Sequence, residues 1–160
     1  EGRVQAVKLE GGLERAETAR RIVEAGIPVM GHIGLTPQSI FKFGGYRVRG
    51  RQKREQNYLL ESAQALQEAG CFAIVLEAIK SDIAARITEK LQIPSIGIGA
   101  GANVDGQIMV VNDILGMDEE FSAKFVRRYF DLGLKIREVI ARFVEDVKTG
   151  DYPTEDESYK

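Results

Sequence analysis

Short apolar runs recur along the chain at Val4 to Leu9, Ile27 to Met30, Cys71 to Leu76, Ile93 to Ile98 and Ile108 to Val111, each too short for a core helix. Several are bounded by Gly or Pro, and near-continuous apolar character is what strands buried on both faces of a parallel sheet display. Between the runs the period becomes helical. Leu13, Ala16, Ala19, Ile22 and Val23 are closed by Gly26, and Leu59, Leu60, Ala63 and Leu66 by Gly70. A glycine just past the last periodic residue supplies the positive φ that a helix C-terminus favours. Ser81 is placed to cap a third helix with apolar positions Ile83, Ala84, Ile87 and Leu91, and Pro94 then opens the next strand. Alternation of this kind predicts an α/β fold.

Two connections depart from the alternation. Gly34 to about Arg54 is a long excursion holding Gly44-Gly45 and a basic alternation at Arg47, Arg49, Arg51 and Lys53, too long for an ordinary βα loop and therefore a candidate functional segment. Gly101 to Gln107 leaves room only for a tight turn, so the last two strands lack a full helix between them. Beyond Asp113 a long helical tract carries Ile136, Val139, Ile140, Phe143, Val144 and Val147 and ends at Gly150; its apolar stripe is expected to bury against something. The segment 151–160, with four acidic residues, reads as an acidic, loosely held tail.

Composition narrows the classes. At 160 residues, 44% hydrophobic and 29% charged, the chain is long enough to bury a core and reads first as one domain. It is shorter than the roughly 250 residues of a closed eight-stranded βα barrel. Its 22 basic and 24 acidic residues give a net charge of −2, which disfavours nucleic acid and membrane surfaces as partners. One cysteine, Cys71, forms no intrachain disulfide, and with one histidine, His32, it cannot complete a closed zinc site; Cys71 itself reads as a small core residue. No apolar run approaches the length of about 18 residues expected of a membrane span, and Glu1-Gly2-Arg3-Val4 does not open a signal peptide, so a cytoplasmic location is expected.

In parallel βα units all strands end on one face, so residues at those ends converge. Read in order, the ends offer Lys8 and Glu10, His32, Glu77, the run Gly97-Ile98-Gly99-Ala100-Gly101, then Asn112 and Asp113. Lys8 and Glu10 point to one side of their strand and Leu9 to the other. They are either an ion pair at a strand mouth or an anion or metal site, and the only metal they suit is a hard one such as Mg²⁺. Glu77 follows a run expected to be buried, which would raise its pKa toward that of a general base; the alternative is a capping or ion-paired Glu. His32 could hydrogen-bond a substrate oxygen, act as an acid/base or serve as a satisfied core histidine, and a triad with Ser39 lacks a nucleophile elbow. Gly97 to Ala102 loosely matches G-x-G-x-x-A, but no helix follows to hold a pyrophosphate, so the glycines are read as permitting close packing or ligand approach. The Arg47 to Arg54 stretch is a solvated loop or a site for an anionic small-molecule tail.

These residues fall within longer motifs: Val7-Lys8-Leu9-Glu10-Gly11-Gly12, Gly31-His32-Ile33-Gly34-Leu35-Thr36-Pro37-Gln38-Ser39, Gly44-Gly45-Tyr46-Arg47-Val48, Val75-Leu76-Glu77, Ile96-Gly97-Ile98-Gly99-Ala100-Gly101 and Asp105-Gly106-Gln107. Together, in this order and across nearly the whole chain, they resemble the ketopantoate hydroxymethyltransferase family. The resemblance implies a (βα)₈ TIM barrel in which Mg²⁺-bound 3-methyl-2-oxobutanoate is enolised and attacks the one-carbon unit of 5,10-methylenetetrahydrofolate. It further implies that Lys8 binds the keto acid, that Glu10 is a metal ligand, that Glu77 accepts the proton and that His32 lines the substrate site. Asn112 stands where the family usually has His, Ala78-Ile79-Lys80 replaces a common Cys-Val-Pro, and Arg51 to Asn57 differs from the usual loop.

On this resemblance residues 1–150 are the C-terminal portion of one barrel domain, its fourth to eighth βα units plus a long C-terminal helix, followed by the tail 151–160. The family's first strands, with two Asp metal ligands and a substrate-binding Ser, would precede Glu1, and a homo-oligomer is implied. Two other readings stand beside it: a Schiff-base aldolase using Lys8, whose amine burial can activate, and an inactive fragment that acts only in assembly.

Overall fold

The computed structural model describes residues 4–39 and 47–160; the Gly44-Gly45-Tyr46 motif and the Ser39 side chain lie outside the described residues. The chain divides into two compact units, Glu1–Ile108 and Met109–Lys160.

In the first unit, strands β1 (Val7–Glu10), β2 (Val29–Gly34), β3 (Ala73–Glu77), β4 (Ser95–Ile98) and β5 (Gly106–Gln107) form one sheet in the order β1-β2-β3-β4-β5. Every pairing is parallel. The connecting helices are α1 (Ala16–Glu24), α2 (Lys53–Glu68) and α3 (Ser81–Lys90). This is the predicted α/β architecture.

Strand register sorts the side chains. Leu9 pairs with Gly31, which pairs with Ile74, and Ile33 pairs with Leu76; these residues share one face of the sheet. Against that face pack Ala19 of α1, Leu59, Leu60, Ala63 and Leu66 of α2, and Ile83, Ala84 and Ile87 of α3, forming the hydrophobic core. Each large side chain so buried contributes about 1.5–3 kcal/mol. Gly31 is what lets α2 approach: a Cβ there would stand 3.0 Å from Leu66 Cδ1. The opposite face carries Lys8, Glu10, His32, Val75 and Glu77, since Glu10 pairs with His32 and His32 with Val75.

Gly26 and Gly70, at φ +84° and +90°, end α1 and α2 as predicted. The N–H groups of Ile27 and Cys71 reach back to the carbonyls of Ile22 and Leu66. Cys71 is buried, and burial pushes its thiol pKa up.

Three expectations are corrected. Ile108 to Val111 is not a strand: β5 is only Gly106–Gln107, and α4 (Val111–Leu115) begins at the end of the apolar run. Asp105 accepts from the backbone N–H and hydroxyl of Ser95, which sets the chain beside β4, and Val110 then accepts from Asp113 and Ile114 to start the helix. Asn112 and Asp113 accordingly lie on a helix and not at a strand end. Ser81 does not cap α3; Lys80 is the N-cap, its carbonyl accepting from Ile83 and Ala84. The fourth strand starts at Ser95, after the apolar Ile93.

In the second unit α5 (Leu132–Thr149) ends at Gly150 with φ +80°, as predicted. Its stripe from Ile136 to Val147 is exposed within the described chain, Val139 by 62%. The tail has local order: Thr154 and Glu157 form a capping box around the turn Glu155–Glu157, and Tyr152 meets Phe143 edge-on at 5.2 Å between ring centroids.

Candidate active site

The sheet face opposite the core helices brings Lys8, Glu10, His32 and Glu77 together at the ends of three adjacent strands. His32 is the centre, with 1% of its surface exposed. Lys8 Nζ is 3.3 Å from its Nδ1, Glu10 Oε1 is 3.7 Å from the same nitrogen, and Glu77 Oε2 is 3.0 Å from Nε2. An ammonium only donates, so Nδ1 accepts from Lys8; a neutral ring then carries its proton on Nε2, toward Glu77. That contact is close but poorly aligned, and Nε2 completes no hydrogen bond among the described residues. A desolvated donor left this way costs about 1–3 kcal/mol, which an oxygen brought by a ligand would recover.

Backbone elements hold the two carboxylates. Glu10 Oε2 accepts from the Gln38 N–H at 3.0 Å, so the turn Pro37–Ser39 after β2 orients the last residue of β1. Glu77 is braced on both sides: its carbonyl accepts from Leu35 N–H, and the next residue, Ala78, donates to Ile98. Ala78 has φ +49°, the one positive value among described non-glycine residues. An L-residue there costs roughly 1–2 kcal/mol, so the bend after Glu77 is held by its neighbours. Gly34 makes room for it, since a Cβ at Gly34 would lie 2.1 Å from the Glu77 carbonyl oxygen. The Glu77 side chain stays 18% exposed and that of Glu10 9%.

All four residues singled out from sequence thus meet in one cluster. Asn112 and Asp113, also read as strand-end residues, belong to the second unit. The Gln38 N–H escaped sequence reasoning because a backbone donor has no residue signature, although it lies within the Thr36-Pro37-Gln38-Ser39 motif.

A cation flanked by two carboxylates and an imidazole can bind an oxyanion and move a proton. As a metal centre the cluster is incomplete. Among the described residues no group of three or more His, Cys, Asp or Glu side chains is arranged to hold a metal ion. The Nδ1 of His32 faces the Lys8 ammonium, which leaves the carboxylates of Glu10 and Glu77 as the hard oxygen donors of the cluster, fewer than Mg²⁺ takes.

Residues 1–155 match the family described as ketopantoate hydroxymethyltransferase. Three curated relatives carry the name 3-methyl-2-oxobutanoate hydroxymethyltransferase. The protein of Prosthecochloris aestuarii is 53% identical over 159 residues, covering 99% of this chain and 57% of the relative. That of Chlorobium luteolum is 55% identical over 154 residues, 96% of this chain and 56% of the relative. That of Geobacter sulfurreducens is 53% identical over 159 residues, 99% and 60% respectively. The chain therefore spans less than two thirds of the length of these relatives.

Proposed function

The chain belongs to the ketopantoate hydroxymethyltransferase family, and from that premise we propose that the protein transfers a hydroxymethyl group from 5,10-methylenetetrahydrofolate to 3-methyl-2-oxobutanoate, giving 2-dehydropantoate. The chain supplies the fourth to eighth βα units of the barrel, and its site is completed by residues outside it. The convergence of Lys8, Glu10 and Glu77 on the buried ring of His32 is the observation that carries this reading.

In this reading Lys8 binds the keto acid through its negative oxygens, and the Nε2–H of His32 donates to a substrate oxygen. Glu77 takes the proton from C3 of the keto acid. The resulting enolate attacks the one-carbon unit: a C–C bond forms and water supplies the hydroxyl oxygen, while both bonds of that carbon to folate nitrogens break, the nitrogens taking up the proton from C3 and one from water to leave tetrahydrofolate. A divalent cation, held in part by Glu10, supplies polarisation of the keto group when bound.

Proton removal can be tested apart from transfer. Exchange of the C3 proton for deuterium, followed by NMR with the keto acid alone, should fall by about 10²–10⁴-fold in Glu77→Gln. Undiminished exchange in that variant would remove Glu77 from its role as base.

A further inference from the structure

The turn that carries the chain out of β3 is strained, and the groups that hold it lead away from the site. Ala78 keeps φ +49° directly after Glu77, and a residue with a side chain persists in that region only where its surroundings over-determine it. Two of the bonds that do so come from neighbouring strand ends. Leu35 N–H donates to the Glu77 carbonyl at 2.8 Å, and Ala78 N–H to the Ile98 carbonyl at 2.9 Å. The sheet fixes both partners, since Leu35 follows β2 and Ile98 ends β4. Two further bonds come from Arg49. Its N–H donates to the Ala78 carbonyl at 2.7 Å and its carbonyl accepts from Lys80 N–H at 3.0 Å, so one residue closes on both sides of Ile79.

Arg49 lies outside the five strands and the helices, so it needs an anchor of its own. Glu55, in the first turn of α2, supplies one. Its Oε1 pairs with Arg49 Nε, and its Oε2 accepts from the Gly50 N–H at 2.7 Å and the Arg51 N–H at 3.1 Å. Gln56 adds a side-chain N–H to the Gly50 carbonyl at 3.1 Å. The Arg49 and Glu55 side chains are only 16% and 24% exposed, and bonds to a charged acceptor are stronger than neutral ones. The helix is held in turn by Leu59, Leu60, Ala63 and Leu66 in the core. Contacts thus run from a core helix through Glu55 and Arg49 to the carbonyl of Ala78, next to Glu77. Strain gives this path a second arrangement to guard against. If the brace is lost, φ at Ala78 relaxes with a compensating change of ψ at Glu77, which turns the peptide between them at the strand end that carries the carboxylate.

We infer that Glu55 is a positioning residue for Glu77: through Arg49 it braces the turn at Ala78 and so fixes the carboxylate beside His32. This rests on the role proposed above for Glu77, and the test separates the two. With the full-length protein, C3 proton exchange of the keto acid is followed by NMR in Glu55→Gln. The maximal rate should fall about 10-fold, since misplacing a reacting group by about 1 Å costs up to about 10²-fold. KM for the keto acid should stay within about two-fold, because Lys8 and His32 are untouched. Glycine takes a positive φ without strain, so adding Ala78→Gly to Glu55→Gln should bring the rate to within about two-fold of Ala78→Gly alone. Glu61→Gln, which removes an exposed charge from the same helix, should leave the rate unchanged. An undiminished rate in Glu55→Gln, a KM that rises with the loss, a loss that Ala78→Gly does not repair, or an equal loss in Glu61→Gln would overturn the inference. Absence of exchange in the parent protein would instead overturn the functional reading, and amide hydrogen exchange then decides the brace on its own. In Glu55→Gln, protection lost at Arg49 and Lys80 and as far as the Ala78 N–H supports it; loss confined to Gly50 and Arg51, or no loss, overturns it.

Discussion

His32 shows how one side chain organises the site. Its ring lies between a cation on Nδ1 and a carboxylate near Nε2, so Lys8 and Glu77 face two different edges of one rigid ring. His32→Phe keeps the ring volume and removes both nitrogens. The Lys8 ammonium then loses its acceptor and Glu77 faces an apolar edge. We expect a stability loss of about 1–3 kcal/mol by denaturant unfolding, together with weaker keto-acid binding in calorimetry. Unchanged values for both would mean that the ring only fills space. Ala78 acts differently, through the backbone: its positive φ turns the chain directly after Glu77, and the strain sits beside the residue assigned the proton transfer.

At the scale of elements, α2 is tied to the turn after β1. Tyr58 donates to Glu14 of the turn Leu13–Arg15, and Ser62 accepts from Leu13 N–H. Burial first, and then the hydrogen bond to Glu14, raise the Tyr58 pKa from 10.0 to about 12. The folded chain therefore keeps this proton after the unfolded chain has released it. The associated stability is complete below pH 10 and is lost as the pH rises toward 12. Thermal unfolding followed across that window should show a fall that Tyr58→Phe flattens; an identical fall in the variant would assign it to other groups. Such ties were not legible in the sequence, because nothing in a residue pattern says that Tyr58 meets Glu14. The alternation of strands and helices was legible, as was the grouping of Lys8, Glu10, His32 and Glu77, because strand period and parallel order determine it together. Strand limits were read too early along the chain, since polar residues such as Glu10 and His32 still belong to the ladder although they end the apolar run. The run from Ile108 misled for another reason: a few apolar residues without a period fit a strand and a helix start equally well.

For the whole molecule, the sequence family and the site geometry impose the same requirement. A hard divalent cation takes about six oxygen ligands, some of them water, and the described residues offer two carboxylates at the cluster, Glu10 and Glu77, the second of which the proposed function assigns to proton transfer. The chain also spans 57% of the Prosthecochloris aestuarii relative. In the proposed function the remaining ligands come from beyond the described residues, and no single carboxylate dominates metal affinity. Metal removal and ligand removal should then differ in kind. EDTA treatment of the full-length protein should abolish C3 proton exchange, and Mg²⁺ should restore it. Glu10→Gln should leave exchange recoverable but shift the Mg²⁺ concentration for half-recovery upward, by about 10-fold or more for the loss of one charged ligand worth 1.4 kcal/mol or above. Exchange that persists in EDTA would exclude the metal from enolisation. An unshifted Mg²⁺ titration in Glu10→Gln would leave Glu10 with the structural task that its bond to Gln38 already performs, fixing the turn after β2 against the end of β1.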